Sequence, residues 1–221
     1  MFFEYGEHET EYLKSKDKRL ALVIDKIGHI YRTVDDDLYS SVIHHIIGQQ
    51  ISTKAQQTIW QRMTEVYGTV TPKTIGNADT DELQTLGMTF RKAKYIKDFS
   101  EKILSGEFDL DAVAMMSDED AIVALAGLNG VGVWTAEMIL LFCLQRPNIL
   151  SYGDLAIQRG MRMVYRHRKI EKKEFEKCYK RLSPYCSVAS LYFWAVAGGA
   201  LPELNDPAPK ENKKPRKAVE E

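Results

Sequence analysis

"LNGVGVWTAEMILL", Leu128–Leu141, sets two glycines two residues apart and follows them with a tryptophan, a threonine and a long apolar run. A helix that starts at Ser117, with Asp118, Glu119 and Asp120 in its first turn, leads into this turn. Acids there suit the positive end of the helix dipole. A second helix leaves the turn at Val133 and stops before Pro147. Gly130 and Gly132 allow positive φ and close approach of another backbone, and Val131 between them can plug the two helices together. The first N–H groups of the second helix have no partner within it, which makes a phosphate site. A plain αα-hairpin turned by glycine explains the same residues. The turn alone leaves both readings open.

The rest of the chain reads as short helices. Asp35–Asp37 can cap Leu38–Ile47, with Gly48 at the end, and Ser52 can cap a helix that runs to Tyr67 and stops at Gly68. Thr71-Pro72 starts a short element, and Thr80-Asp81-Glu82 starts another that ends at Gly87. From Phe90, the residues Ala93, Ile96, Phe99 and Ile103 recur on one helix face until Gly106. No period-2 alternation or hairpin turn of strand type is visible. The fold class is therefore all-α. Pro202–Glu221 carries four prolines, mixed charge and few large apolar residues, and is expected to be a disordered tail.

Composition narrows the function less. Hydrophobic residues at 44% and charged residues at 28% are ordinary for a soluble domain. Met1–Thr10 lacks a signal peptide's basic start and apolar stretch, and no run approaches the roughly 20 apolar residues of a membrane span. A secreted or membrane protein is not expected; the expected place is cytoplasm or nucleoid in a bacterium, or the nucleus in a eukaryote. Three cysteines are too few for a four-cysteine zinc or iron–sulfur site. The adjacent His44 and His45 read as structural or surface groups. The net charge of −1 hides an uneven distribution, since Arg159–Arg181 holds ten Lys and Arg against three Glu. That block is a DNA-binding face or a solvated helix surface.

The glycine turn, the Pro147 and Ser151-Tyr152-Gly153 loop, and Asp154 in "GDLAIQRGM" follow one another in order. With "IIGQQISTKAQQTI" (Ile46–Ile59), "LGMTFRKAKYIKDFS" and "SPYCSVASLYFWAVAG", they resemble the helix-hairpin-helix, Gly/Pro–Asp superfamily of DNA glycosylases. The likeness spans about Tyr12–Gly199 and is nearest the 3-methyladenine DNA glycosylase II branch in a compact form. It implies a two-lobed helical fold with a cleft between the lobes. Residues 35–145 would form the central lobe with the hairpin. Residues 1–34 would supply an N-terminal helix that joins the C-terminal helices of 146–201.

The resemblance implies excision of alkylated purines such as 3-methyladenine and 7-methylguanine from duplex DNA, after the nucleotide is flipped out of the stack. Asp154 would be the catalytic carboxylate, stabilising the positive charge that develops on the sugar and orienting water. It would equally serve as the N-cap of the helix from Leu155. Relatives that also cleave the backbone carry a lysine where this chain has Trp134, so this chain is expected to be monofunctional. Trp134, Tyr185 and Met138 would line the base pocket, the aromatic faces attracting a cationic base. Gln50 would wedge into the gap left by the flipped base with Gln49 beside it, unless both satisfy helix-end backbone groups. Gly130, Gly132, Val133 and Thr135 would meet the DNA backbone. The carbonyls of Ala126, Leu128 and Val131 match positions that hold a monovalent cation, sodium or potassium; no other cofactor and no iron–sulfur cluster is expected. The partner would be damaged double-stranded DNA, bound by a monomer.

Two departures stand out. Cys186 sits where many members have arginine, and "ILSYG" before Asp154 lacks a nearby proline or second acid. The N-terminal aromatics Phe2, Phe3 and Tyr5 either cover the pocket or fray. Rival readings are a glycosylase for deaminated bases such as hypoxanthine, a bifunctional lyase, and a non-catalytic DNA-binding module.

Overall fold

Short polar side chains set most of the helix starts in the computed structural model, which describes residues 1–208. The helices are α1 (Glu7–Lys16), α2 (Lys18–Ile27), α3 (Leu38–Gly48), α4 (Thr53–Tyr67), α5 (Pro72–Gly76), α6 (Thr80–Thr85) and α7 (Phe90–Leu104). They continue as α8 (Leu110–Met115), α9 (Asp118–Ala126), α10 (Val133–Phe142), α11 (Leu155–Tyr165), α12 (Lys172–Leu182) and α13 (Cys186–Ala197). Asp37, Ser52, Thr71 and Ser117 each accept a first-turn backbone N–H, as the sequence predicts. The cap of α6 is Asp79, one residue before the expected Thr80. The fold is all-α, and no strand occurs among the described residues beyond a single bridge between Phe2 and Thr33. No helix among them is long and apolar enough to cross a membrane.

Two helices, not one, precede residue 35. The chain breaks at Asp17, whose carboxylate caps α2 through Arg19 and Leu20 N–H and takes a bond from Tyr165. Helices α1 and α2 pack on α11, α12 and α13, while α3 packs on α4, α7 and α10, and α9 on α10. The tightest approach joins α11 to α13. A Cβ added at Gly160 would lie 2.1 Å from the Phe193 carbonyl oxygen, so only glycine lets the two backbones meet.

The N-terminal aromatics neither fray nor cover a pocket. Phe3 is buried, its N–H donates to the Arg32 carbonyl at 2.8 Å, and Tyr5 stacks on His29. These contacts hold the segment Ile30–Arg32 in place.

The expected tail at 202–221 is corrected in its first part. Leu201 is buried, Leu204 packs on the core, and Asp206 takes two bonds from the Arg162 guanidinium at 2.9 and 2.6 Å. One leucine and one aspartate anchor a stretch whose composition looks unstructured. Residues 209–221 lie outside the described residues.

Candidate active site

Helix α10 places Trp134 in its first turn and Met138 one turn later. Trp134 is 47% exposed, Met138 is buried, and both face one cleft of about 560 Å³. The loop after α10 delivers Asp154 to the same cleft as the N-cap of α11. Asp154 is 7% exposed, and its carboxylate accepts from four N–H donors, three on Oδ1 and one on Oδ2. Its Oδ1 accepts from Ala156 and Ile157 N–H, both at 2.8 Å, and from Trp194 Nε1 at 3.2 Å. Its Oδ2 accepts from Trp134 Nε1 at 2.8 Å. All four neighbours are N–H groups, and two are indoles from different helices.

A second carboxyl stands behind. Glu137, one turn after Trp134, accepts from Ser151 Oγ, and the Ser151 carbonyl lies 3.4 Å from Asp154 N. Burial and the nearby Asp154 charge push the Glu137 carboxyl above the usual carboxylate range, against the Ser151 bond. The loop is thus fastened to α10 at Trp134 and at Glu137.

Aromatic and apolar groups complete the cleft: Phe142, Trp194, Leu191 and the Ile30–Arg32 segment. The Arg32 guanidinium lies over Phe142, 4.8 Å from the ring centroid. A neighbouring cleft of about 650 Å³ shares Arg32, His45, Trp134 and Phe142 with the first and extends to Gln49, Gln50 and Trp60.

Tyr185 does not join this constellation. As the residue before α13 it packs edge-on against Tyr12 and bonds His8 Nε2 at 2.9 Å, on the side covered by α1. The expectation that it lines the pocket with Trp134 is therefore corrected. The indole that does line it from α13 is Trp194. The sequence reading missed it because a lone tryptophan inside an apolar helix reads as core.

The hairpin is also revised in detail. Gly130 has φ +85°, and a Cβ there would lie 2.4 Å from the Tyr95 ring, so it needs to be glycine. Gly132 has φ −97° with nothing within 4 Å of an added Cβ, so neither positive φ nor protein packing requires glycine there. No side chain caps α10, which leaves the first-turn N–H groups of Val133, Trp134 and Thr135 without a side-chain acceptor. Val133 is exposed, whereas Thr135 is buried. Gln49 spends its amide on the Gly130 carbonyl at 2.6 Å, and Lys92 Nζ holds the Ile47 and Gln49 carbonyls at 2.8 and 2.6 Å. Gln49 thus acts as a backbone tie. Gln50 is exposed at φ +60° and has no hydrogen-bond partner among the described residues. Of the three hairpin carbonyls, that of Leu128 accepts from Val131 N–H at 3.1 Å and keeps one lone pair, which suits a weakly held cation.

Part of the basic block is committed to the protein. Arg162 pairs with Asp206 at 2.6 Å, Lys169 with Glu171 at 2.7 Å and Arg181 with Asp17 at 2.7 Å.

A glycine hairpin with an uncapped helix start, and an aspartate fixed beside an aromatic cleft, agree with what comparison shows. Residues 43–184 match the HhH-GPD superfamily of base excision DNA repair proteins. The chain belongs to this superfamily. It is 28% identical over 205 residues, 87% of its length and 70% of the relative's, to a putative DNA-3-methyladenine glycosylase of Bacillus subtilis. The structure of a DNA-3-methyladenine glycosidase from Bacillus halodurans superposes with a TM-score of 0.82 at 29% identity, covering 92% of this chain and 95% of that one. A 3-methyladenine DNA glycosylase of Schizosaccharomyces pombe, solved with abasic DNA, gives 0.74 at 25% identity over 86% and 97% of the two chains.

Proposed function

We propose that this HhH-GPD protein flips alkylated purines, 3-methyladenine and 7-methylguanine, out of duplex DNA and releases them by hydrolysis. The observation that carries this reading is Asp154, held by two indole N–H groups and two backbone N–H groups at the wall of an aromatic cleft. As the N-glycosidic bond breaks, its electron pair goes to the base and positive charge develops on the sugar. A fixed carboxylate stabilises that charge without reorganising. Water held against Asp154 then adds to the anomeric carbon and passes its proton through the carboxylate to solvent, leaving neutral free base and an abasic site. Position 134 offers no amine, so no Schiff base forms with the sugar. Trp134, Trp194 and Phe142 give π-faces to a cationic base, and Met138 closes the floor.

Gln50 suits the wedge because it is exposed and untethered; Gln49 supports the hairpin behind it. The N–H groups of Val133–Thr135, with Gly132 open beside them, would take a DNA phosphate. A sodium or potassium ion on the Ala126, Leu128 and Val131 carbonyls would add positive charge there. We read 35–145 as one lobe and 1–34 with 146–201 as the other, acting as a monomer on DNA.

The test is base release from alkylated duplex DNA by the wild type and by Asp154→Asn, with DNA binding measured in parallel. Release by the wild type and binding without release by the variant are expected. Binding by both without release of any base would overturn the catalytic reading.

A further inference from the structure

We infer that His45 determines specificity within the cleft, presenting a bare Nε2 acceptor that selects purines carrying an amine rather than a carbonyl at ring position 6. The inference rests on the base-release reading above and adds which purines the cleft prefers.

His45 lies on α3 and lines both clefts. Its Nδ1 sits 2.9 Å from the Ser41 carbonyl one turn back. A carbonyl only accepts, so Nδ1 carries the hydrogen. Burial and the neighbouring His44 oppose a second proton, against Asp35 and the Ser41 bond, and the group lies below the usual histidine range. The Arg32 guanidinium lines the same cleft. In the neutral ring, Nε2 is then a lone pair without a hydrogen. No group among the described residues bonds it, and it is not sealed away as a buried orphan.

The other polar groups of the cleft leave this role to His45. Both indole N–H groups are spent on Asp154, whose Oδ1 takes three donors and whose Oδ2 takes the Trp134 N–H and keeps a lone pair for the attacking water. Arg32 brings donors, and the Tyr31 hydroxyl belongs to a largely exposed side chain. The aromatic walls recognise positive charge without distinguishing one purine from another. An adenine-derived base offers an amine N–H to Nε2. A guanine- or hypoxanthine-derived base offers a carbonyl oxygen at the same ring position, and two lone pairs would face each other.

The test begins with the wild-type protein. Base release is inhibited with free 3-methyladenine or free 3-methylhypoxanthine, which differ by amine against carbonyl. Inhibition about tenfold stronger by 3-methyladenine is expected for one hydrogen bond gained against one refused. Equal inhibition overturns the inference and leaves the base-release reading standing. Release of 3-methyladenine and 7-methylguanine is then compared in His45→Phe and His45→Gln. His45→Phe should lose about tenfold on 3-methyladenine and release 7-methylguanine faster than the wild type, because the opposing lone pair is gone, which also shows that it folds. His45→Gln, with an acceptor oxygen, should retain 3-methyladenine release. Equal losses on both bases in His45→Phe overturn the inference, and no release of either base by the wild type overturns both readings.

Discussion

The indole N–H of Trp134 reaches Oδ2 of Asp154 at 2.8 Å, so the residue where the resemblance would put a nucleophilic lysine holds the carboxylate we propose as catalytic. Trp194 holds the other oxygen from α13 at 3.2 Å. Trp134→Phe keeps the aromatic wall and removes the donor. Hydrogen bonds to charged groups contribute roughly 1.5–3 kcal/mol, so single-turnover base release should fall about 10- to 100-fold with DNA affinity preserved. Trp194→Phe should cost less, since its bond is longer. An unchanged rate in Trp134→Phe would show that the bond does not position Asp154.

Gly160 and Gly132 separate packing from ligand approach. A Cβ at Gly160 meets the Phe193 backbone at 2.1 Å, and neither helix can yield without breaking the contact that brings Trp194 to Asp154. Gly160→Ala should destabilise by about 3 kcal/mol and lower Tm by roughly 6–12 °C. Gly132→Ala meets nothing within 4 Å and should leave Tm within about 2 °C. It should nonetheless weaken duplex binding, because the methyl group would stand where a phosphate approaches the α10 N–H groups. Thermal melts and binding curves on the two variants check both arms.

Local sequence carried the hairpin, Asp154 and the Trp134–Met138 spacing, because each depends on neighbours within a few turns. The caps at Asp37, Ser52 and Ser117 were legible for the same reason. The partners of Asp154 were not. Trp194 is 40 residues away and reaches the carboxylate only because Gly160 lets α11 and α13 touch. Tyr185 carries a suggestive position but is claimed by Tyr12 and His8 from α1, whose docking no local pattern announces. His45 read as a structural or surface group because its cleft forms only when α3, α10 and α13 come together.

His45 should also leave a mark on stability against pH. Its folded pKa is lowered by burial, with His44 adding to the effect and Asp35 opposing it. Above about pH 6.5, the unfolded value, histidine is neutral in both states and the full stability is present. Below it the unfolded chain binds a proton that the folded chain excludes, so stability falls until the lower folded value is passed. His45→Phe should flatten that part of the profile. Urea midpoints for the two proteins between pH 7.5 and 5.0, about the window this sets, provide the measurement. Parallel curves would mean that His45 titrates as freely as in the unfolded chain.

Arg162 tests whether the basic stretch around it serves DNA or the fold. Its guanidinium forks onto Asp206, with the two side chains only 19% and 21% exposed. The carboxylate holds the Arg162 pKa up, and the Arg162 guanidinium lowers that of Asp206. The pair ties residues 202–208 to α11 beside the buried Leu201. Arg162→Ala should therefore cost on the order of 1–2 kcal/mol, more than an exposed pair, by leaving Asp206 only the looser Arg159 contact at 3.8 Å and the Ala208 N–H. A cation bound to a phosphate would behave differently, since its removal would reduce the dependence of log affinity on log salt by about one counterion. The expected result is a lower Tm with an unchanged salt slope. A shallower slope at unchanged Tm would place Arg162 on the DNA and free Asp206 from its role in the fold.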